Sequence, residues 1–188
     1  MVVPPTALQT LRRVLRKRRR AISDAKHPAP QSRPILARLI GQAECVGLYL
    51  PMADEPDPLA LVEGYAGRLA LPATASEGLM TFCLWSAQDC LTASAWGGQQ
   101  PLKTALSAMP DVIFVPLLGF DAAFNRIGQG GGHYDRYLAA NPGSLRVGFA
   151  WEGQRLDQIA PQPWDVPMDA ILTEKDFYVK DLSRCLRR

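Results

Sequence analysis

Residues 111–138, DVIFVPLLGFDAAFNRIGQGGGHYDRYL, restrict the folds open to this chain more than any other stretch. The run Val112-Ile113-Phe114-Val115 is apolar, β-branched and unbroken, the pattern of a strand covered on both faces, as in a parallel sheet. After a polar turn come Gly128-Gln129-Gly130-Gly131-Gly132, and then residues 133–140, which predict a helix stopped by Asn141-Pro142. Strand, glycine loop and helix make an anion-binding arrangement. Without Cβ atoms the loop lets backbone N–H groups approach a phosphate, and the first helical turn adds unpaired donors and the positive end of its dipole. The spacing lacks the Gly-Lys-Ser/Thr of a Walker loop. It also lacks the acidic residue about 20 positions on that completes a dinucleotide fingerprint. Glycines alone therefore leave the identity of the anion open, but Arg126, His133, Tyr134, Asp135 and Arg136 crowd ionisable groups onto the same junction.

The rest of the chain reads as scaffold for that junction. Its 188 residues suit one domain, 1–188, with one buried core. No apolar run approaches the roughly 20 residues needed to cross a bilayer, and the first residues lack the apolar core of a signal peptide. The four cysteines show no CxxC or metal-like spacing and read as reduced thiols, so a cytoplasmic protein without a membrane partner is expected. Nine of the 21 basic residues but one of the 18 acidic ones fall in residues 1–33, which leaves that segment at +8 and the remainder at −5. Leu8, Leu11, Val14, Leu15 and Ile22 fall near helical spacing there. They predict a basic amphipathic helix docked by its apolar stripe, with most of Arg12, Arg13, Arg16, Arg18, Arg19 and Arg20 on a solvated face.

Beyond it, a proline-broken connection carries His27 as an exposed loop residue. Ser32 is expected to cap a short helix through Ile40 that Gly41 ends. Strands are expected at 45–50, 69–72, 81–85, 146–151 and 169–173, with a helix at 59–68 opened by Asp57-Pro58. Residues 101–109 carry no assignable pattern. Alternating strand and helix signals predict an α/β fold, a mainly parallel sheet flanked by helices, with ligands at the carboxyl ends of its strands.

No nucleophile is supported: Cys83 and Cys90 lack a positioned histidine, and no Gly-x-Ser-x-Gly elbow occurs. Neither His27 nor His133 has a second metal-ligand spacing. Magnesium differs, because it takes one or two carboxylates together with substrate phosphates and waters, and Asp135 beside the phosphate loop supplies one.

The residues Gly119-Phe120-Asp121, Asn125-Arg126-Ile127-Gly128, Gly130-Gly131-Gly132, Tyr134-Asp135-Arg136 and Leu138 resemble the signature of the 5-formyltetrahydrofolate cyclo-ligase, or methenyltetrahydrofolate synthetase, family. The similarity runs from the basic first helix through Tyr49-Leu50-Pro51-Met52 and Asp54-Glu55 to Val166-Pro167-Met168-Asp169. The resemblance implies ATP- and Mg²⁺-dependent cyclisation of 5-formyltetrahydrofolate, with or without a polyglutamate tail, to 5,10-methenyltetrahydrofolate. The γ-phosphoryl group of ATP activates the formyl oxygen, N10 attacks, and ADP and phosphate are released.

By the same resemblance Arg12, Arg126, Gly128, Gly130, Gly131, Gly132 and Tyr134 meet the nucleotide, and Arg126 and Tyr134 serve catalysis. Leu50, Glu55, Gln129 and His133 meet the folate, and Asp135 and Asp169 hold the magnesium. Three positions depart from the family. Leu8 replaces a phosphate-contacting lysine, for which Arg13 or Arg16 is the candidate compensation. Gln100 replaces a glutamate before Pro101, and His133 replaces a tyrosine or phenylalanine while keeping a flat ring able to stack. Two alternatives meet part of the pattern. One is an α/β protein, a binder or isomerase, that handles a phosphorylated metabolite without hydrolysing ATP. The other is nucleic-acid binding through residues 12–20, which the absence of interleaved aromatics disfavours.

Overall fold

The computed structural model describes residues 5–25, 28–75, 78–95, 97–181 and 183; His27 and Cys185 lie outside them. In chain order the elements are α1 (Pro5–Asp24), α2 (Pro34–Gln42), β1 (Cys45–Gly47), β2 (Arg68–Thr74), β3 (Met80–Trp85), β4 (Leu91–Ala93), β5 (Gln99–Pro101) and β6 (Ser107–Ala108). There follow β7 (Val112–Pro116), β8 (Gly119–Phe120), β9 (Arg126–Ile127), α3 (His133–Ala140), β10 (Leu145–Phe149), β11 (Ala170–Leu172) and β12 (Phe177–Val179). Eight strands form one sheet in the order β12-β11-β10-β7-β1-β2-β3-β6. The five central strands, β11 to β2, pair in parallel; β12, β3 and β6 are antiparallel additions at the two edges.

The apolar run expected to be covered on both faces is β7, at the middle of this sheet, with residues 112–115 all no more than 1% exposed. Its alternating side chains enter two clusters. Val112 and Phe114 pack with Leu36, Leu39 and Ile40 of α2, and Ile113 and Val115 with Tyr137 and Leu138 of α3. One helix therefore covers each face, as continuous hydrophobicity in a parallel strand requires. All parallel strands share one carboxyl edge. The segments leaving β1, β7 and β10 emerge there together, next to the short hairpin β8–β9.

Several expected boundaries shift. The short helix begins at Pro34 behind an N-cap at Arg33 that makes no side-chain hydrogen bond, and it runs through Gly41 to Gln42. Ser32 is not its cap, because Pro34 at the first helical position supplies a preset φ instead. The expected helix 59–68 is only a 3₁₀ turn, Leu59–Val62. Gly64 turns left-handed with φ 74°, and Arg68 already opens β2. Asp57 still acts where it was placed, accepting from the Leu59 N–H at 2.9 Å. Strand β12 was not expected, being three residues of an exposed edge.

The tight packing of β1 generates a stability prediction. A Cβ on Gly47 would stand 2.9 Å from the ring of buried Phe82 and 3.0 Å from that of Pro110, neither of which can bend aside. Gly47→Ala should cost about 1–3 kcal/mol by overpacking. Gly41→Ala, in a helix with nothing within 4 Å, should add about 0.5–1 kcal/mol. Urea unfolding midpoints moving in opposite directions would confirm the pair.

Candidate active site

A cleft of about 1020 Å³ opens at the carboxyl edge, lined by α1, the segment after β1, the glycine loop, the start of α3 and residues 156–165. That volume lies at the top of the roughly 300–1,000 Å³ range of ordinary small-molecule sites, as two ligands side by side require. The 121–125 turn that presents β9 is built by Asp121. Its buried carboxylate accepts from the N–H groups of Ala123, Asn125 and Ile159 and from the Asn125 amide. Phe124 takes a left-handed φ of 65° in this turn.

The turn delivers Arg126, 8% exposed, to the centre of the site. Its guanidinium donates to Asp135 Oδ1 at 2.8 Å and to the Val166 carbonyl, while Val166 N–H donates to the same Oδ1 at 3.1 Å. Asp135 lines the cleft, and no described residue donates to its Oδ2. The hydroxyl of Tyr134 and the Nε2 of Gln162 also belong to cleft-lining residues; both atoms are buried and neither has a protein partner. Burial, reinforced by the Glu55 charge and opposed by Arg126, holds the Tyr134 phenol far above its ordinary pKa. It is a neutral donor at any physiological pH. Gln162 is held by reciprocal bonds, its N–H to Asp165 Oδ2 and its carbonyl from Asp165 N–H, and sequence reasoning did not single it out.

The glycine loop follows. Gly130 (φ 111°) and Gly132 (φ 63°) need conformations that L side chains rarely adopt, and Gly132 is the N-cap of α3. Arg12 Nε donates to the Gly128 carbonyl at 3.1 Å, and a Cβ on Gly130 would stand 3.2 Å from the Arg12 guanidinium. Arg16 holds Gln129 through both its side chain and its carbonyl, whereas Arg13 makes no such contact with the loop. Leu8 stands on the cleft wall. His133 Nδ1 lies 2.9 Å from the Gly78 carbonyl and 3.2 Å from Arg136 Nη2. The histidine thus ties the start of α3 to the turn between β2 and β3, besides lining the cleft. Gln100 pairs with Thr74, accepting from its N–H and donating to its carbonyl at 3.1 and 3.5 Å. A glutamate there could not make the second bond.

Two residues of α1 differ from expectation. Val14 is 54% exposed, off the docked stripe, while Arg19 is 2% exposed and on it. Arg12 and Arg19 are seven residues apart and in phase with Leu8, Leu15 and Ile22, a spacing that could have placed Arg19 inward. Arg19 donates to both oxygens of Asp54 and, at 2.6 Å, to Glu55 Oε1; Met52 N–H reaches Glu55 Oε2 at 3.0 Å. Burial works to lower the Arg19 pKa, but the two carboxylates outweigh it and raise it above its usual value. Glu55 therefore lines the cleft as an oriented carboxylate beside half-buried Leu50.

Asp169 sits elsewhere. It precedes β11 at the amino edge of the parallel strands, 5% exposed, and takes the Arg146 backbone N–H and two guanidinium bonds at 2.6–2.9 Å. Asp135 lines the cleft and Asp169 does not. Ligation of a cation by Asp169 would require Arg146 to leave. Among the described residues no group of three or more His, Cys, Asp or Glu side chains is arranged to hold a metal ion.

Comparison with known proteins places the chain. The sequence model of the 5-formyltetrahydrofolate cyclo-ligase family matches residues 6–174. The 5-formyltetrahydrofolate cyclo-ligase of Mycolicibacterium smegmatis is 30% identical over 185 residues, spanning 91% of this chain and 95% of that relative. The Escherichia coli enzyme of the same name is 28% identical over 175 residues, 85% and 96% of the two chains. The NMR structure of Aquifex aeolicus 5,10-methenyltetrahydrofolate synthetase superposes with a TM-score of 0.68 at 27% identity, covering 93% of each chain.

The buried ion cluster on α1 yields a prediction. Arg19→Met strands Glu55 without its cation and should cost about 3–5 kcal/mol, because an unpaired buried charge is left behind. Adding Glu55→Gln should recover a large part of that. Arg20→Ala, on the exposed face, should stay within about 0.5 kcal/mol of the parent. Chemical denaturation of the four proteins decides it.

Proposed function

The chain belongs to the 5-formyltetrahydrofolate cyclo-ligase family, a ligase acting on a folate, and on that premise we propose that it closes 5-formyltetrahydrofolate to 5,10-methenyltetrahydrofolate at the expense of ATP, with Mg²⁺. The observation that carries this reading is the junction itself. Residues 128–132 open onto a cleft large enough for both substrates, with Arg12 overhead and two buried donors, Tyr134 Oη and Gln162 Nε2, unmet by protein.

The roles follow from elementary chemistry. The γ-phosphoryl group passes from ATP to the formyl oxygen, ADP leaving. N10 then attacks the activated carbon and loses its proton, and the C–O bond breaks to release phosphate. Little of this asks for a protein nucleophile; phosphoryl transfer is governed by positioning and by neutralisation of charge. In this reading the loop N–H groups and the first turn of α3 hold phosphate oxygens, joined by Arg12. Arg126 keeps Asp135 in place rather than acting as a free cation. Leu50 and Glu55 receive the pterin, each oxygen of the oriented carboxylate keeping a lone pair for a ring N–H. His133 and Gln129 form the wall towards the folate, and neutral Tyr134 donates to an oxygen as it gains charge.

Asp135 Oδ2 fits one magnesium contact, since Mg²⁺ is content with one carboxylate plus phosphates and waters. Such an ion would neutralise charge developing on the phosphates. Asp169 joins it in this reading only with Arg146 displaced.

The primary test mixes purified protein with 5-formyltetrahydrofolate, ATP and Mg²⁺ and follows methenyl absorbance; absence of any ATP-dependent signal would overturn the proposal. Asp135→Asn retains an oxygen able to accept from Arg126 and Val166, so melting should barely change while kcat drops by roughly 10²–10³-fold. A normal kcat with unaltered Mg²⁺ dependence would reject the metal assignment. Arg12→Ala removes one charged contact of about 1.5–3 kcal/mol, and the KM for ATP should rise roughly tenfold or more.

A further inference from the structure

A second cavity of about 610 Å³ lies between α3 and the antiparallel edge strands β3 and β6, reaching down to the starts of β1 and β2. It shares with the catalytic cleft only the Met80 wall. The two spaces flank one helix. His133, Tyr134 and Asp135 face the cleft, and Arg136 and Tyr137 line the cavity.

Its chemistry is one-sided. Arg68 and Arg136 both line it, and no aspartate or glutamate does. Two acids stand behind the wall: Glu44 lies 3.5 Å from Arg68 with both side chains largely exposed (86% and 61%), so that water screens the pair, and Asp111 Oδ2 accepts from the N–H of lining residue Cys45 at 3.1 Å. Arg136 turns Nη2 to the Gly131 carbonyl at 3.0 Å, the Gly78 carbonyl at 3.4 Å and His133 Nδ1 at 3.2 Å, which leaves Nε and Nη1 for a ligand. At the cavity wall Tyr137 is 8% exposed, its ring 5.1 Å from that of Phe82, and its buried hydroxyl has no partner. Burial keeps that phenol above its ordinary pKa, so it remains an O–H donor. An unmet buried donor is costly in a folded protein and calls for an acceptor. The rest of the lining mixes apolar surface, half-buried Met80 with Leu79 and Met109 at 59% and 78% exposure, with the polar Thr81, Ser107 and Asn141.

We infer that this cavity is a second ligand site, for a small organic anion with an apolar body. Its carboxylate or phosphate faces Arg68 and Arg136, an acceptor atom meets the Tyr137 hydroxyl, and its body covers Met80 and Met109. Two guanidinium groups without an acid among the lining exclude a cation. The buried phenol and the apolar wall distinguish the site from a surface that merely collects inorganic ions. Occupancy would bear on α3 one turn from Asp135, so the site is placed to influence the reacting end of the cleft. The inference does not depend on the reaction proposed above.

The test uses the full-length protein without added folate or nucleotide, because Arg68 and Tyr137 line this cavity and not the catalytic cleft. Calorimetry compares 1-naphthoate with 1-naphthylmethanol, which keeps the ring and removes the charge. Naphthoate should bind one saturable site, about tenfold or more tighter than the alcohol. Arg68→Gln should erase that preference. Tyr137→Phe supplies the sharper outcome: affinity for naphthoate should fall several-fold while the melting temperature holds or rises, because the variant deletes a donor the free protein cannot satisfy. Equal binding of acid and alcohol, or unchanged affinity in both variants, would each overturn the assignment.

Discussion

The Arg126 guanidinium is the tie on which the site depends. It joins β9, the first turn of α3 and the irregular segment leading into β11 through Asp135 Oδ1 and the Val166 carbonyl. Val166 N–H closes the triangle on the same oxygen. With the arginine side chain 4% and the aspartate 20% exposed, the pair is sheltered from the screening that makes surface ion pairs weak. Its geometry decides which Asp135 oxygen is held by protein donors and which is left without one. The Asp121 turn stands behind it, since without those four accepted bonds β9 would not carry Arg126 inward.

Helix α1 illustrates how a charged element becomes part of an interior. Its stripe contains Leu15, packed with Leu118, Ile127 and Ile159, but it also contains Arg12 and Arg19. Long arginine stems bury apolar length while the planar fork reaches specific acceptors. Arg19 finds two carboxylates in the segment after β1, and Arg12 finds a carbonyl of the glycine loop. The helix closes one side of the cleft through these contacts. Of the basic residues in this segment, Arg19 serves an internal ion cluster while Arg12 and Arg16 hold the glycine loop.

The buried carboxylates divide by location. Asp54 and Glu55 are neutralised by Arg19 at the carboxyl edge, Asp135 by Arg126 beside the loop, and Asp169 by Arg146 at the opposite edge of the sheet. These four are met by three arginines, whereas buried Asp121 is satisfied by backbone N–H groups and the Asn125 amide, either arrangement serving a charge withdrawn from water. Only the acids at the carboxyl edge border the cleft. Strand direction thus separates candidate chemistry from scaffold more clearly than residue type does.

The parallel sheet, the basic first helix and the strand–loop–helix junction were legible in the amino-acid order, because each rests on local periodicity or on glycine's freedom at adjacent positions. Val112-Ile113-Phe114-Val115 reads as a strand covered on both faces, and residues 128–132 as a glycine loop that opens a helix. The family motif was legible as well, since its members lie within 20 consecutive residues. Partner choice was not. That Arg19 turns inward to Glu55, that Asp169 is claimed by Arg146, and that the Tyr134, Tyr137 and Gln162 side chains end beside open cavities are consequences of long-range packing. No local propensity encodes which charges meet, because an ion pair across 36 or 23 residues exists only once the sheet has set the distance between its ends.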